Sequence, residues 1–248
     1  MPSRKSDSPH GSGPDLTSVP AASGEPPRWR RRKDARPQEI VAAAMEVFAD
    51  RGFAAARLEE VAARAGVSKG TLYLYFSSKE ELFKAVIRAA ILPNLQQAEA
   101  LVASAGGPCF PVLERLLRMV ARLIATTRMA VIPRLVIAEA GNFPELAAFY
   151  HREVIRRGFG VLGGLLRRGM ESGEFRPMEL DPSVRLIVAP LLMSAVWRTS
   201  FDGVDGEPPM DVAALVEVHI ANLRLALLRD ADLRTGGTGR TGVGEDAP

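Results

Sequence analysis

Along this chain apolar residues recur three and four positions apart, while strictly alternating runs of the kind a half-buried strand needs are hard to find. The pattern predicts an all-α protein with about nine helices. Pro37 suits a first helical turn, and Ile40, Ala44, Val47 and Phe48 make one apolar stripe up to Arg51, where Gly52 closes the helix. Phe53 and Leu58 complete that small core. Residues 58–65 form a short amphipathic helix, Gly66 suits a left-handed turn, and Ser68 caps a second short helix. Two overlapping capping boxes, Ser77 with Glu80 and Ser78 with Glu81, open a fourth helix near Lys79. It carries Leu82, Phe83, Val86 and Ile87 and runs to Ala103, with Pro93 as a place to kink.

The second half divides at prolines that suit helix starts. Pro111 opens a helix over 111–126 with Leu113, Leu116, Leu117, Val120 and Ile124 on its apolar face. A shorter helix over 128–140 contains Pro133 and should bend or break there. Pro144 opens a long helix through Phe149, Val154, Leu162 and Leu166 to Glu171, ended by Gly173. Its Gly158, Gly160, Gly163 and Gly164 weaken helix propensity, for which close helix packing is the usual compensation. Asp181-Pro182 reads as an N-cap followed by proline and starts an apolar helix to Ser200; the last helix covers 210–229.

With 248 residues, 47% apolar and 25% charged, most of the chain can bury a core. The stretch before Arg28 is dense in Ser, Gly, Pro and Asp and is expected to be disordered, as is the Thr/Gly-rich end after Asp230. Arg28-Trp29-Arg30-Arg31-Arg32-Lys33 then reads either as a basic arm that touches phosphates or the minor groove, or as the end of a solubilising tail. The expected organisation is a disordered basic arm over 1–33, a DNA-binding domain over 34–84, a larger helical domain over 85–230 and a disordered tail over 231–248. Net charge is only +3, but thirteen basic against eight acidic side chains lie between Arg28 and Arg88. The positive excess therefore sits where phosphates would be met. Cys109 is the single cysteine, so no disulfide framework or thiolate metal cluster is expected. No secretory signal and no bilayer-length charge-free run stands out, which predicts a soluble, cytoplasmic protein with no membrane partner.

Two short helices joined by a glycine turn make a helix-turn-helix, whose second helix can lie in the DNA major groove. In that frame Ser68 caps the second helix, and Lys69 reaches a guanine edge or a phosphate. Gly70 lets the backbone approach closely, and Thr71 offers a hydroxyl to phosphate and a methyl to thymine. Tyr73 and Tyr75 present phenols to phosphates, while Leu72 and Phe76 point inward. Half-packed core is the alternative for the two tyrosines. Ser68-Lys69-Gly70-Thr71 lacks the flanking glycines of a nucleotide-binding loop. His10, His151 and His219 lack metal-ligand spacing, so neither an enzyme nor a cofactor is expected.

From Pro37 to Val86 the chain resembles the TetR/AcrR family of bacterial transcriptional regulators. The resemblance is carried by Ile40-Val41-Ala42-Ala43-Ala44, Phe48 and Gly52-Phe53, and by Leu58-Glu59-Glu60-Val61-Ala62. It continues through Ala65-Gly66-Val67-Ser68-Lys69-Gly70-Thr71-Leu72-Tyr73, Tyr75-Phe76 and Ser78-Lys79-Glu80-Glu81-Leu82-Phe83. One departure is Ala56, where the family usually has a threonine that can cap the next helix or touch phosphate. The resemblance implies that Lys79 also contacts phosphate and that the second domain dimerises and binds a ligand.

Half-sites one helical turn apart call for a two-fold dimer. The last two helices are the candidate interface. Leu186, Val188, Leu191, Met193 and Trp197 lie on one, and Val212, Leu215, Val216, His219 and Leu223 on the other. A ligand cavity is expected among the middle helices, lined by Met119, Leu123, Thr127, Met129, Ile137, Phe143, Phe149 and Trp197, with plain core as the alternative for each. The function expected is a homodimeric repressor released from a palindromic operator of efflux or metabolic genes by a small apolar or amphipathic ligand. The alternative is the same fold controlled by a protein partner or by no ligand.

Overall fold

The structure, a computed structural model, describes residues 28–206 and 208–229, with side chains from residue 36 onward. Its elements are α1 (Arg28–Arg51), α2 (Leu58–Arg64), α3 (Lys69–Tyr75), α4 (Lys79–Ser104), α5 (Phe110–Thr126), α6 (Val131–Glu139), α7 (Pro144–Tyr150), α8 (Arg156–Glu171), α9 (Leu180–Ser200) and α10 (Val212–Leu227). A π turn, His151–Ile155, carries α7 into α8 without a break, so the described residues hold nine helices when these two are counted as one. Among them no strand is present, only one isolated bridge between Phe175 and Leu228. The all-α expectation holds.

Local chemistry explains most boundaries. Gly52, Gly66 and Gly173 take positive φ where helices end, a conformation in which a Cβ would strain the backbone. Ser68 Oγ accepts the Thr71 N–H at the start of α3, and Ser78, not Ser77, caps α4 by accepting the Glu81 N–H. The cap of α5 comes from far along the chain. Glu174 accepts the N–H of Cys109 (2.5 Å) and of Phe110 (2.8 Å), satisfying donors that no neighbouring side chain meets.

Several boundaries differ from the sequence expectation. α1 begins at Arg28, so the backbone of the basic run is helical and not disordered; Pro37 sits inside, its fixed φ being helical and its cost one lost bond. Residues 1–27 and 231–248, expected to be disordered, lie outside the described residues. Pro133 does not break its helix. It occupies the first turn of α6, where its missing N–H has no helical partner to lose, and the break falls at the 3-10 turn Arg128–Ala130. The N-cap of α9 is Glu179, because Asp181 lies inside the first turn and pairs with Arg185 at 2.9 Å. Of the α8 glycines, only Gly169 marks close packing; at Gly163 a Cβ would make an ordinary 4.0 Å contact with Val184. A Cβ at Gly158, Gly160 or Gly164 would meet nothing within 4 Å, whereas at Gly169 it would fall 2.2 Å from the Phe175 ring.

Two hydrophobic cores result. The first gathers Phe48, Phe53, Leu72 and Phe83, the three rings lying 5.1–5.6 Å apart. It also takes in Ile132, Leu135 and Val136 of α6 with Leu146 and Phe149 of α7, so packing does not divide near residue 84. The second joins α5, α8, α9 and α10 around Leu113, Leu165, Leu166, Phe175, Ile187, Val216 and Ile220. Helix α4 serves both, with Phe83, Val86 and Ile87 in the first and Ala98 in the second.

Candidate nucleic-acid interface and ligand cavity

In α3 the 3.6-residue turn puts Leu72 into the core and Lys69, Gly70, Tyr73 and Leu74 on one exposed face. Thr71 is half-buried, and its hydroxyl shares a 2.9 Å hydrogen bond with the Ser68 hydroxyl, so both belong to the helix cap. Tyr75 is half-buried as well. Lys69 lies 2.5 Å from Glu59 of α2 and over the Tyr73 ring, whose centre is 5.8 Å away. Leu74 is 75% exposed, and the sequence reading passed over it, although its place four positions after Gly70 on the same helical face could have revealed it. Helix α2 starts at N-cap Arg57 without a side-chain cap; the Ala56 methyl that replaces the family's threonine is buried.

Lys79 is turned away from this face. Its Nζ donates to the carbonyls of Ala54 (2.8 Å) and Ala56 (3.2 Å) and lies over the Phe53 ring. Lys79 thus clamps the α1–α2 loop, a role that was not visible because it depends on a loop 25 residues upstream. The same loop is held from the other side. Glu139, a buried carboxylate at the end of α6, accepts the Ala54 N–H through Oε1 (3.1 Å) and the Asn142 amide through Oε2 (3.2 Å). Phe143 packs edge-on against Phe53 at 4.9 Å. Arg128 reaches Asp50, whose carboxyl is held below its ordinary range chiefly by a hydrogen bond from Arg64.

Between the two cores lies a cavity of about 390 Å³. It is bordered by Ile91, Asn94 and Leu95 of α4, by α5 from Leu116 to Ile124, by Pro133 and Val136 of α6, by Val154 and Ile155 of the π turn, by Gly158, Phe159 and Leu162 of α8, and by Val188 and Leu191 of α9. Of the expected lining residues Met119, Leu123, Met129 and Ile137 are there. The other four are not. Thr127 caps the 3-10 turn by accepting the Met129 N–H, Phe143 and Phe149 belong to the first core, and Trp197 packs at a tilt against Phe201 at the surface. Residue type suggested a pocket, but the helix faces that decide it are set by long-range packing. The wall is apolar apart from Asn94 and Tyr150. Asn94 donates to the Ala90 carbonyl. Tyr150 is half-buried and borders the cavity, and desolvation pushes the pKa of its phenol up to about 12. Neither residue was singled out from the sequence.

Helices α9 and α10 each carry an unpartnered apolar stripe. On α9 it runs through Leu186, Met193 and Trp197, 71%, 57% and 45% exposed; on α10 through Val218 and Leu225, both exposed. Val212, Val216 and Leu223, expected at an interface, instead face this chain's own core, as does Leu191. Val188 borders the cavity, Leu215 packs on the second core, and His219 Nε2 meets the Ile187 carbonyl at 3.0 Å. Because α9 is apolar on both sides, it is long and apolar enough to cross a membrane by length and composition, although its charge-free run, residues 186–197, is bounded by Arg185 and Arg198. His151 is exposed and Cys109 is buried.

This geometry has counterparts. The sequence profile of "Bacterial regulatory proteins, tetR family" matches residues 40–86, and that of "Tetracyclin repressor-like, C-terminal domain" matches residues 113–216. The transcriptional activator FasR of Mycolicibacterium smegmatis is 46% identical over 81 residues, which are 30% of this chain and only 37% of FasR. The "Fatty acid metabolism regulator protein" of Bacillus subtilis is 25% identical over 150 residues, 58% of this chain and 74% of that protein. Among solved structures, the fatty acid degradation regulator FadR from Bacillus halodurans superposes with a TM-score of 0.65 and 26% identity, covering 77% of this chain and 99% of FadR.

Proposed function

Since the chain belongs to the tetR family of bacterial transcriptional regulators, we propose that it is a homodimeric repressor, released from a palindromic operator when an amphipathic ligand fills the cavity between its two cores. The observation that carries this reading is the cavity's position. One wall, α4 and α6, is also part of the core on which α3 is mounted. A ligand that spreads the two cores therefore tilts α3, and Glu139 transmits the movement of α6 directly to the Ala54 peptide.

In this reading residues 34–84 carry the DNA contact and 85–230 the cavity and the dimer face. Lys69, Gly70, Tyr73 and Leu74 meet the major groove, with Ser68, Thr71 and Tyr75 at its edge. The stripes on α9 and α10 pair with those of a second copy, which sets the distance between the two reading helices. The chain acts in the cytoplasm and catalyses nothing. The ligand has an apolar body and a hydrogen-bonding group that Tyr150 and Asn94 can meet, in keeping with the fatty-acid regulators among its relatives. Driving the dimer from almost fully bound to almost fully free needs a preference for the tilted state of about 10⁴-fold.

The test is operator release monitored alongside thermal stability, with myristate and palmitoyl-CoA as probes. A saturable rise in Tm that tracks loss of operator binding is expected. Release without any stabilisation, or stabilisation with the operator still bound, would contradict the proposed coupling.

A further inference from the structure

The side chain that holds Lys69 is unusual for a surface that must meet phosphates. Glu59 places Oε1 2.5 Å from Lys69 Nζ, across the gap between α2 and α3, and both side chains are more than half exposed, at 54% and 59%. Exposed ion pairs contribute little to folding, so stability gives no strong reason for a carboxylate there. Lys69 holds the Glu59 carboxyl below its ordinary range, chiefly by hydrogen bonding, and a carboxylate is charged at neutral pH in any case. A lysine alone on this face could swing to any phosphate. Here it lies between Glu59 and the Tyr73 ring, whose residue is on the same exposed face.

Resting on the reading of α3 as the helix that enters the major groove, we infer that Glu59 and Lys69 act as one unit that reads a single G·C pair in each half-site. Lys69 donates to guanine O6 or N7, and Glu59 accepts from cytosine N4. Guanine O6 and cytosine N4 are themselves hydrogen-bonded, hence roughly 3 Å apart, which matches the 2.5 Å between Nζ and Oε1. An A·T pair fits less well, because it offers fewer purine acceptors to the ammonium and sets thymine's methyl beside the charged pair. Glu59 also repels phosphates, so it lowers affinity for random duplex while sharpening discrimination.

The experiment is selection from a randomised duplex library with the full-length wild type, E59A, E59Q and K69A, plus the affinity of each for random duplex. Wild type is expected to enrich a two-fold symmetric site with a G·C pair at one fixed position per half-site. E59A and K69A should both relax that same position, from about tenfold preference to less than threefold. E59A and E59Q should bind random duplex about threefold more tightly, since one repelling charge is gone; E59Q keeps the side-chain length and guards against a folding defect in E59A. If E59A enriches the wild-type site with unchanged weights, or the two alanine variants relax different positions, the paired reading is overturned while the DNA-reading role of α3 stands. If the wild type enriches no motif, that role falls, and the pair with it.

Discussion

Lys79→Met removes the ammonium that closes the α1–α2 loop, and the structure sets the size of the effect. Two hydrogen bonds to carbonyls are lost, at 2.8 and 3.2 Å, each worth about 1.5–3 kcal/mol when the donor is charged and buried. The contact over the Phe53 ring at 4.8 Å adds about 0.5–1 kcal/mol at a partly exposed site. The site is half-buried, so the low end applies, and methionine's apolar stem recovers part of the loss. A net destabilisation of about 2–3 kcal/mol is expected, or roughly 5–10 °C in Tm for a chain of this size. The assay is urea unfolding with circular dichroism, paired with the salt dependence of DNA binding. With the Lys79 ammonium committed to the loop carbonyls, its loss should lower stability while the slope of log K against log salt stays the same. Unchanged stability together with a slope reduced by about 0.9, the signature of one lost phosphate contact, would refute the clamp.

The remaining expectations use the same or similarly simple measurements. Gly160→Ala should raise stability by about 1 kcal/mol, since a methyl there enters open space on an exposed helix face; Gly169→Ala should lower it by at least about 1–3 kcal/mol, because the new Cβ meets the Phe175 ring. Equal effects in urea titration would show that the α8 packing is wrong. The raised pKa of Tyr150 favours the neutral phenol in the folded chain. Its contribution is therefore complete below pH 10 and is lost as pH climbs towards 12, an amount of about 2–3 kcal/mol. Tyr150→Phe should flatten that decline, and parallel curves for the two proteins would contradict the burial of the phenol. Leu186→Glu combined with Val218→Glu should give a folded monomer in sedimentation, because both side chains are exposed here and would sit in the dimer interface; a dimer that survives both changes would place the interface elsewhere.

The reading head was legible in the sequence because its determinants are local. Gly66 needs positive φ, Ser68 and Ser78 cap helices three residues ahead, and Leu72 alternates with exposed neighbours at helical spacing. Prolines were a weaker guide. Pro37, Pro133 and Pro182 all suit a first turn, but only the surrounding fold decides whether the helix has already begun, as it has at Arg28 and Leu180. What depends on distant packing was harder to see. Phe143 and Phe149 have the right chemistry for a cavity wall, yet Phe53 and the α7 face draw them into the first core. On α10, Val212, Val216 and Leu223 are as apolar as Val218 and Leu225, and a helix apolar on both sides does not reveal which side its own chain will cover. The carboxylates of Glu139 and Glu174 act on backbone 85 and 65 residues upstream, distances over which no spacing rule operates.

The most direct measurement is competition binding of the full-length protein, at physiological salt, between a palindromic promoter fragment and a random duplex of equal length. Discrimination of at least about 10³-fold is expected for a specific reader, and it should collapse when Tyr73 and Leu74 on the exposed face of α3 are both changed to alanine. A wild type that binds both duplexes alike, or a double variant that still discriminates fully, would contradict the assignment of α3 as the element that reads DNA.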